Sequence, residues 1–513
     1  MGSSCDRTPS ARRRRAVAFR LAAVLLALAL FPLAELAFVA LDWGRPAESD
    51  DPFVGFSDVR PLFVRSDDGG RYEIARSRQR CFRPQAFAAD KAPGEVRIFC
   101  LGGSTVQGRP YAVETSFTTW LELSLRLAEP TRTFRVVNCG GVSYASYRLV
   151  PILREVLAHE PDLIVLYTGH NEFLEDREYG HIRDRPRWLA GPLELLARTR
   201  TFALVRSGYL SARGSASRTV LKTDVEAILD YAGGLAKYHH DEAWRRGVIE
   251  HFRYNVRRMI RLSREAGVEM LLINPSCNLR DCPPFKSEHR AGLTNNQRRR
   301  WRALCRQAAE ASATDPARAA KCLRSALAID DQFATVHYRL GKELEALDDW
   351  PRARAAYVRA KERDVCPLRI LEPMSRALLD IARRTGTNVV DARALIEGQS
   401  PGRVPGEESF CDHVHPRIAT HRLIAGAIFE ELARQGIVHP RPGWKRQQNT
   451  VAMKHLASLG EGYFTEGQRR LESLRGWAAG RATLVPGQSE PADSRPATLP
   501  DPARRGRSRA SGG

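Results

Sequence analysis

Several chemistries are absent from this 513-residue chain as a matter of sequence. It has ten cysteines but no C-x-x-C, so neither a dense disulfide framework nor a thioredoxin-type redox pair is present. No G-x-x-x-x-G-K-[ST] and no G-x-G-x-x-G occurs, which removes the two commonest glycine cradles for nucleotide phosphates. G-x-S-x-G occurs once, at Gly398–Gly402, away from the end of any apolar strand, so it does not make the nucleophile elbow of α/β-hydrolases. There is no H-E-x-x-H and no second ligand cluster to complete a zinc site. Acid is in deficit: 59 Asp and Glu against 80 Lys and Arg give a formal net charge of +21 and a pI near 10.0. The excess is scattered arginine, clustered only at Arg12–Arg15, at Arg298–Arg300 and near the C-terminus, with no interleaved aromatics. That distribution excludes a nucleic-acid platform, and no nucleic-acid partner is expected.

With 43% hydrophobic residues, the chain belongs among globular proteins. Residues 1–15 form a basic N-terminus ahead of an apolar run, 16–41, long enough to cross a bilayer, where about 20 residues are needed. The four arginines predict a cytoplasmic N-terminus and an exported remainder. The run exceeds a cleavable signal core and lacks an A-x-A site, so a signal-anchor helix is expected over a cleaved signal. The expected localisation is that of a single-pass membrane protein with a periplasmic or extracellular body.

From about Arg97, apolar strands alternate with amphipathic helices. VRIFCLGGST, FRVVNCGG, PDLIVLYTGHNE, VEMLLINPS and TNVVDARAL read as five strands. SFTTWLELSLRLAE, YRLVPILREVLAHE, Glu242–Ala266, MSRALLDIARRTG and a segment opening at Pro416 read as helices. This pattern predicts an α/β fold, a parallel sheet covered on both faces. Two segments interrupt it: an excursion over 172–241 and a helical insertion over 286–365. In the insertion, ATVHYRLGKELEALDDWPRARAAYVRAKERD is similar to one tetratricopeptide repeat through Leu340, Gly341, Leu344, Ala353, Tyr357 and Ala360. Ala319, Leu323 and Ala326 repeat its second half 34 residues earlier, while the first half of that earlier copy is poor; a plain helical hairpin is the alternative. Residues 438–480 are expected as a helical extension and 481–513 as a disordered tail. Cys277 and Cys282 are near enough in sequence to pair in an oxidising compartment.

Ligands of parallel sheets bind beyond the C-terminal ends of the strands. Here those ends deliver Ser104 in a glycine-tight turn, the loop NCGGVSYAS, Asn171 and CDHVHP. Acyl transfer needs this set: a histidine to take the serine proton, an aspartate to fix the imidazole, and donors for the oxyanion. A zinc site on Asp412, His413 and His415 is the competing reading.

These blocks resemble those of the SGNH (GDSL-like) hydrolase superfamily. GGST at 102–105 is similar to the first block, with Gly103 where many members have Asp; TGHNE at 168–172 is similar to the third; DHVH at 412–415 is similar to the fifth. The second block departs from the family, since GGVSYAS places Ser143–Tyr144 near the usual glycine. The resemblance extends to a membrane-anchored subgroup carrying repeats and covers 96–285 and 366–437. It implies a three-layer, flavodoxin-like α/β/α domain in which Ser104 is the nucleophile, His415 the base and Asp412 its orienting acid. Asn171 and Gly141 are the implied oxyanion donors, and His413 is structural or pocket-lining. No cofactor and no metal is implied. The expected substrate is an ester-bearing glycan, lipid or small molecule. Transfer of the acyl group to an envelope glycan by the same residues, or an inactive scaffold, are the alternatives. The insertion is expected to pack on the hydrolase body or dock a protein partner, and small-ester hydrolysis to survive its removal.

Overall fold

The computed structural model describes residues 58–175 and 234–481 throughout, together with 19, 30–41, 43 and short stretches between 199 and 230. The chain divides into two compact units, one of Met1–Arg60 and Arg177–Lys222, the other of Pro61–Asp176 and Thr223–Gly513. In the first, residues 30–40 are helical, and Glu35 accepts hydrogen bonds from the N–H groups of Arg200 (2.7 Å) and Thr201 (2.9 Å). No helix among the described residues is long and apolar enough to cross a membrane. Of the expected span, 16–29 lies outside the described residues except for Phe19, as do most of the 172–241 excursion and the tail beyond 481.

The second unit is built on five strands: β1 (Glu95–Gly102), β2 (Thr133–Gly140), β3 (Leu163–Tyr167), β4 (Glu269–Ile273) and β5 (Asn388–Val390). They pair in parallel in the order β5-β4-β3-β1-β2. Sequential order thus reverses between β1 and β3, the switch point at which doubly wound sheets leave a crevice. Side chains of a strand alternate between faces. Val96, Ile98 and Cys100 of β1 enter one core with Phe117, Trp120 and Leu121 of α2 (Phe117–Ala128) and Ile424, Ile428 and Phe429 of α11 (Ile418–Arg434). Phe99 and Leu101 are buried on the other face, where α3 (Ser146–Leu157), α4 (Glu242–Glu265) and α9 (Glu372–Thr385) pack on one another. The architecture is α/β with helices on both faces, and β1, β2 and β3 end together at Gly102, Gly140 and Tyr167.

Residues 61–94, ahead of the expected start of the domain, also belong to this unit. Phe63–Arg65, Arg71–Ile74 and Ala86–Ala88 form an antiparallel sheet. The Phe87 ring meets Phe63 at 5.1 Å and Phe99 at 5.4 Å, and Glu155 of α3 accepts the N–H groups of Leu62 and Phe63.

The insertion is four helices: α5 (Asn295–Ala311), α6 (Pro316–Ile329), α7 (Ala334–Ala346) and α8 (Trp350–Arg363). Each pair starts its second helix alike, with Asp315 and Asp349 accepting the N–H of Arg318 and Arg352, and proline in the first turn. Gly341 is required where it stands, since a Cβ there would lie 2.7 Å from the Tyr357 ring. The weak first half of the earlier copy is α5, turned inward through Trp301, Cys305 and Ala308. The insertion does not close on itself: Cys277, Leu279, Val404 and Val414 complete its apolar core. Cys277 and Cys282 are both free thiols because they enter different cores, Cys277 that of the insertion and Cys282 a cluster with Phe285 and Val365.

Beyond α11 the chain forms two further helices, α12 (Lys445–Ser458) and α13 (Gly460–Arg481), separated where Gly460 takes φ 71°. A further short helix, α10 (Ala392–Gln399), follows β5.

Candidate active site

Ser104 opens a four-residue helix, α1 (Ser104–Gln107), directly beyond β1. Close packing forces glycine on both preceding positions. A Cβ on Gly102 would lie 2.2 Å from the Tyr167 carbonyl oxygen, and one on Gly103 would lie 2.5 Å from Asn171 Nδ2. The turn is held from β2 by Asn138, whose Nδ2 donates to Val106 O at 2.6 Å while its Oδ1 accepts the Gly140 N–H at 2.9 Å. Gln107 Nε2 donates to the carbonyls of Cys81 (2.7 Å) and Gly140 (3.2 Å). Both polar side chains are buried, so each must be hydrogen-bonded, and both satisfy this by fixing the serine turn.

The histidine arrives from the opposite end of the chain on a short ribbon. Phe410 and Pro416 pair antiparallel, and Cys411 N–H donates to His415 O at 2.8 Å. That pairing holds Pro416 extended, so α11 starts at Ile418 with Arg417 as its N-cap rather than at the proline. Inside the ribbon, Asp412 Oδ1 accepts the N–H groups of Val414 (2.9 Å) and His415 (2.8 Å). Its other oxygen lies 2.6 Å from His415 Nδ1, and His415 Nε2 lies 2.7 Å from Ser104 Oγ. The sequence-predicted Ser104, His415 and Asp412 are therefore joined in one hydrogen-bonded relay. Both imidazole nitrogens are engaged in it.

Burial opposes ionisation of Asp412, but the neighbouring His415 and His413 rings and the hydrogen bonds from His415 outweigh it. Its carboxyl is held well below the usual carboxylate range, as an acid that orients an imidazolium requires. His413 stands beside the relay, with Nδ1 3.6 Å from Asp412 Oδ1 and its ring edge-on to Phe285 at 5.2 Å. Burial pushes its imidazole down to about 4, so it is neutral at pH 7.

One of the expected oxyanion donors is already engaged elsewhere. Gly141, the expected donor, has its N–H bonded to Gly102 O at 2.9 Å, extending the β1–β2 ladder by one residue. Val142 N–H is likewise bound to Cys81 O and Tyr144 N–H to Gly141 O. Ser143 between them sits at φ 64°, and its N–H meets no partner among the described residues. A serine pays strain in that left-handed region, normally glycine territory, so the loop is held there by its neighbours. The Ser104 N–H, at a helix start, is similarly free among the described residues. Asn171 Nδ2, packed on Gly103, donates to Tyr144 O at 3.1 Å, which brings it beside Ser143. The N–H groups of Ser104 and Ser143 and the Asn171 amide are thus gathered beside Ser104, while the Gly141 N–H is taken by the sheet. The signal in the sequence was the spacing N-x-G-x-x-S over 138–143, where Ser143 falls three residues after Gly140.

Two other elements reach the site unannounced by the sequence. Asn278, after β4, donates its N–H to His413 O (3.0 Å) and its Nδ2 to Asp412 O (3.1 Å). Helix α13 lies against the loop that follows Ser104: Gly467 abuts Tyr111, Tyr111 and Tyr463 stack at 6.0 Å, and Arg475 donates to Cys411 O at 3.3 Å. Ser104 is left 7% exposed.

No family model and no curated protein matches the chain. Among solved structures it is similar to a lipase/acylhydrolase from Enterococcus faecalis, at 13% identity over 68% of this chain and 100% of that one, TM-score 0.30. It is similar also to Axe2, an acetylxylan esterase from Geobacillus stearothermophilus, at 13% identity over 66% and 94%, TM-score 0.30. A lipolytic protein of the G-D-S-L family from Desulfitobacterium hafniense matches at 10% identity over 65% and 98%, TM-score 0.28. With superpositions this loose, the architecture and the site stand on the chain's own strand order and interatomic distances.

Proposed function

We propose that this protein is a serine hydrolase of the SGNH type acting on ester bonds. The observation that carries the reading is the continuous relay from Asp412 through His415 to Ser104, at 2.6 and 2.7 Å. Ser104 Oγ attacks the ester carbonyl as His415 Nε2 takes its proton. The oxyanion forms against the N–H groups of Ser104 and Ser143 and the Asn171 amide. His415 then returns the proton to the departing alkoxide, leaving an acyl group on Ser104. A water activated by the same imidazole releases the acid and restores the serine. Preorganised donors at the developing charge are worth about 10²–10³ in rate for each one removed in comparable sites. Substrates in this reading are acylated glycans, lipids or small molecules.

Labelling of the purified protein with a serine-directed fluorophosphonate tests the reading, with Ser104→Ala as control. Ser104-dependent labelling is expected; its absence from folded protein would leave an inactive scaffold.

We also read Arg12–Arg15 and the apolar run 16–41 as a signal-anchor that exports the catalytic unit. A reporter fused after Gly436 that functions only outside the cytoplasm is expected to be active, and neutralising Arg12–Arg15 is expected to scramble it. A reporter active only inside would overturn this.

A further inference from the structure

Three segments bring arginine to the rim of the Ser104 turn. Arg109 closes the turn itself, its N–H donating to Ser104 O at 3.1 Å. Arg83 lies two residues beyond Cys81, whose carbonyl receives both Gln107 Nε2 and the Val142 N–H of the oxyanion loop. Arg470 of α13 donates from Nη1 to Tyr111 O at 3.1 Å, two residues beyond Arg109. The carboxylates around them pair with only one of the three. Glu466 pairs with Arg470 at 3.1 Å and also with the exposed Arg469, while Glu114 lies near Arg83 and Asp412 near Arg109 without pairing with either. Among the described residues, neither Arg83 nor Arg109 has an ion pair, and Arg109 Nε is shielded from water without a hydrogen-bond partner. Burial, and then the neighbouring guanidiniums, push Arg83 and Arg109 below the ordinary arginine range; Arg109 also feels the Asp412 charge.

We propose that Arg83, Arg109 and Arg470 form an anion-recognition site beside the Ser104 centre, so that the ester it takes is borne by an acidic glycan whose carboxylate docks on these guanidiniums. This rests on the hydrolase reading for the reaction but not for the binding. Like charges gathered in a half-buried rim oppose folding, and a visiting anion relieves that opposition. The planar guanidinium fork matches a carboxylate bidentately, and a phosphate by the same chemistry. A lipid is disfavoured, because the exposed large apolar side chains among the described residues all lie outside the segments around Ser104: 81–83, 104–112 and 411–415.

The test is calorimetric titration of the full chain carrying Ser104→Ala with an unesterified oligoglucuronate, beside arms with inorganic phosphate and with phosphatidylglycerol vesicles. Oligoglucuronate is expected to bind, more weakly as salt rises, and Arg83→Gln or Arg109→Gln is expected to weaken it about tenfold or more. Arg83 is the safer variant, since Arg109 sits in the serine turn. In turnover, the preference for acetylated oligoglucuronate over 4-nitrophenyl acetate, as a ratio of kcat/KM, is expected to fall about tenfold in either variant. Binding that is absent, confined to vesicles, or unchanged in both arginine variants overturns the proposal, as does binding of phosphate with none of oligoglucuronate. Arginine-dependent binding without Ser104-dependent turnover would instead overturn the hydrolase reading and leave the anion site standing.

Discussion

Asn278 holds Asp412 by its main chain: the asparagine amide donates to the Asp412 carbonyl at 3.1 Å, while its own N–H donates to the next carbonyl, that of His413, at 3.0 Å. The same side chain accepts the Asp281 N–H at 2.9 Å. The relay is thus fixed from behind by the loop after β4, which no catalytic motif includes. Asn278→Ala removes two buried hydrogen bonds, worth about 1–3 kcal/mol where a polar group is left unsatisfied. It is expected to lower kcat about tenfold with little change in KM, and to lower the urea midpoint. An unchanged kcat in a destabilised protein would make Asn278 structural only.

Within the relay, Ser104→Ala and His415→Ala are each expected to reduce kcat by about 10⁶, and Asp412→Asn by about 10⁴, following the hierarchy of comparable triads. His413→Gln is expected to keep turnover within about tenfold of wild type, because neither hydrogen bond of the relay is made by His413. Single-turnover rates on a chromogenic acetate ester would check the series. Equal losses in His413→Gln and His415→Ala would reassign the base.

Ser143 makes the oxyanion loop testable by backbone chemistry. Its φ of 64° suits glycine, so Ser143→Gly is expected to retain activity and to gain up to about 1 kcal/mol of stability. Ser143→Pro both removes the N–H and demands a φ near −65°, and is expected to abolish turnover. Asn171→Ala is expected to cost about 10²–10³ in kcat. Full activity in Ser143→Pro would remove that N–H from the oxyanion site.

How far the sequence carried this site can be read from the same residues. Ser104 and Asn171 were legible because each follows an apolar strand and then a turn, and the Asp412–His415 loop because D-x-x-H is itself a local pattern. Ser143 was ambiguous because its role depends on Gly141 being consumed by Gly102 across the sheet, a long-range fact with no local pattern. The 61–94 sheet escaped notice because its strands are three or four residues long and mix charge with aromatics. The first half of the earlier repeat copy read as poor for a related reason: the arginine-rich surface of α5 outweighs the small and aromatic positions it turns inward.

Three buried histidines surround the relay and set its acid sensitivity. Burial pushes His170 and His421 down to about 3 and His413 to about 4. His170 and His421 each use Nδ1 to accept a backbone N–H, from Ile370 and Phe117. The unfolded chain protonates its histidines near pH 6.5, while the native state keeps these three neutral. Below about pH 6.5 the unfolded state therefore binds more protons and stability falls with pH, by up to roughly 1.4 kcal/mol per unit for each histidine, until about pH 4. Asp412 does not contribute in that window: its folded pKa is depressed, so its stabilisation is intact above about pH 4 and lost only below. Urea midpoints between pH 7 and 4.5 are expected to fall steeply, and His421→Gln to flatten the slope by roughly one third. A flat profile would contradict the buried neutral state of these rings.

The helical insertion is expected to be inseparable from catalysis. Its removal was compatible with the sequence because the strands of the sheet do not need it. The structure joins it to the histidine loop instead: Val414, between His413 and His415, is buried in the same apolar core as Trp301, Leu340 and Tyr357, with Val404 and Leu279 alongside. Replacing 290–363 by a Gly/Ser linker would expose Val414, Val404 and Leu279, at about 1.5–3 kcal/mol for each one returned to water. The cost falls on the ribbon that carries His415 toward Ser104. The deletion protein is expected to keep the parallel-sheet core, read by far-UV circular dichroism, and to lose at least about tenfold in kcat on 4-nitrophenyl acetate. The point variant Val414→Ala separates the two effects, since it empties one contact without removing the insertion. It is expected to lower kcat in the same direction by a smaller factor. Wild-type kcat in both proteins would show that the ribbon holds His415 in place without the insertion.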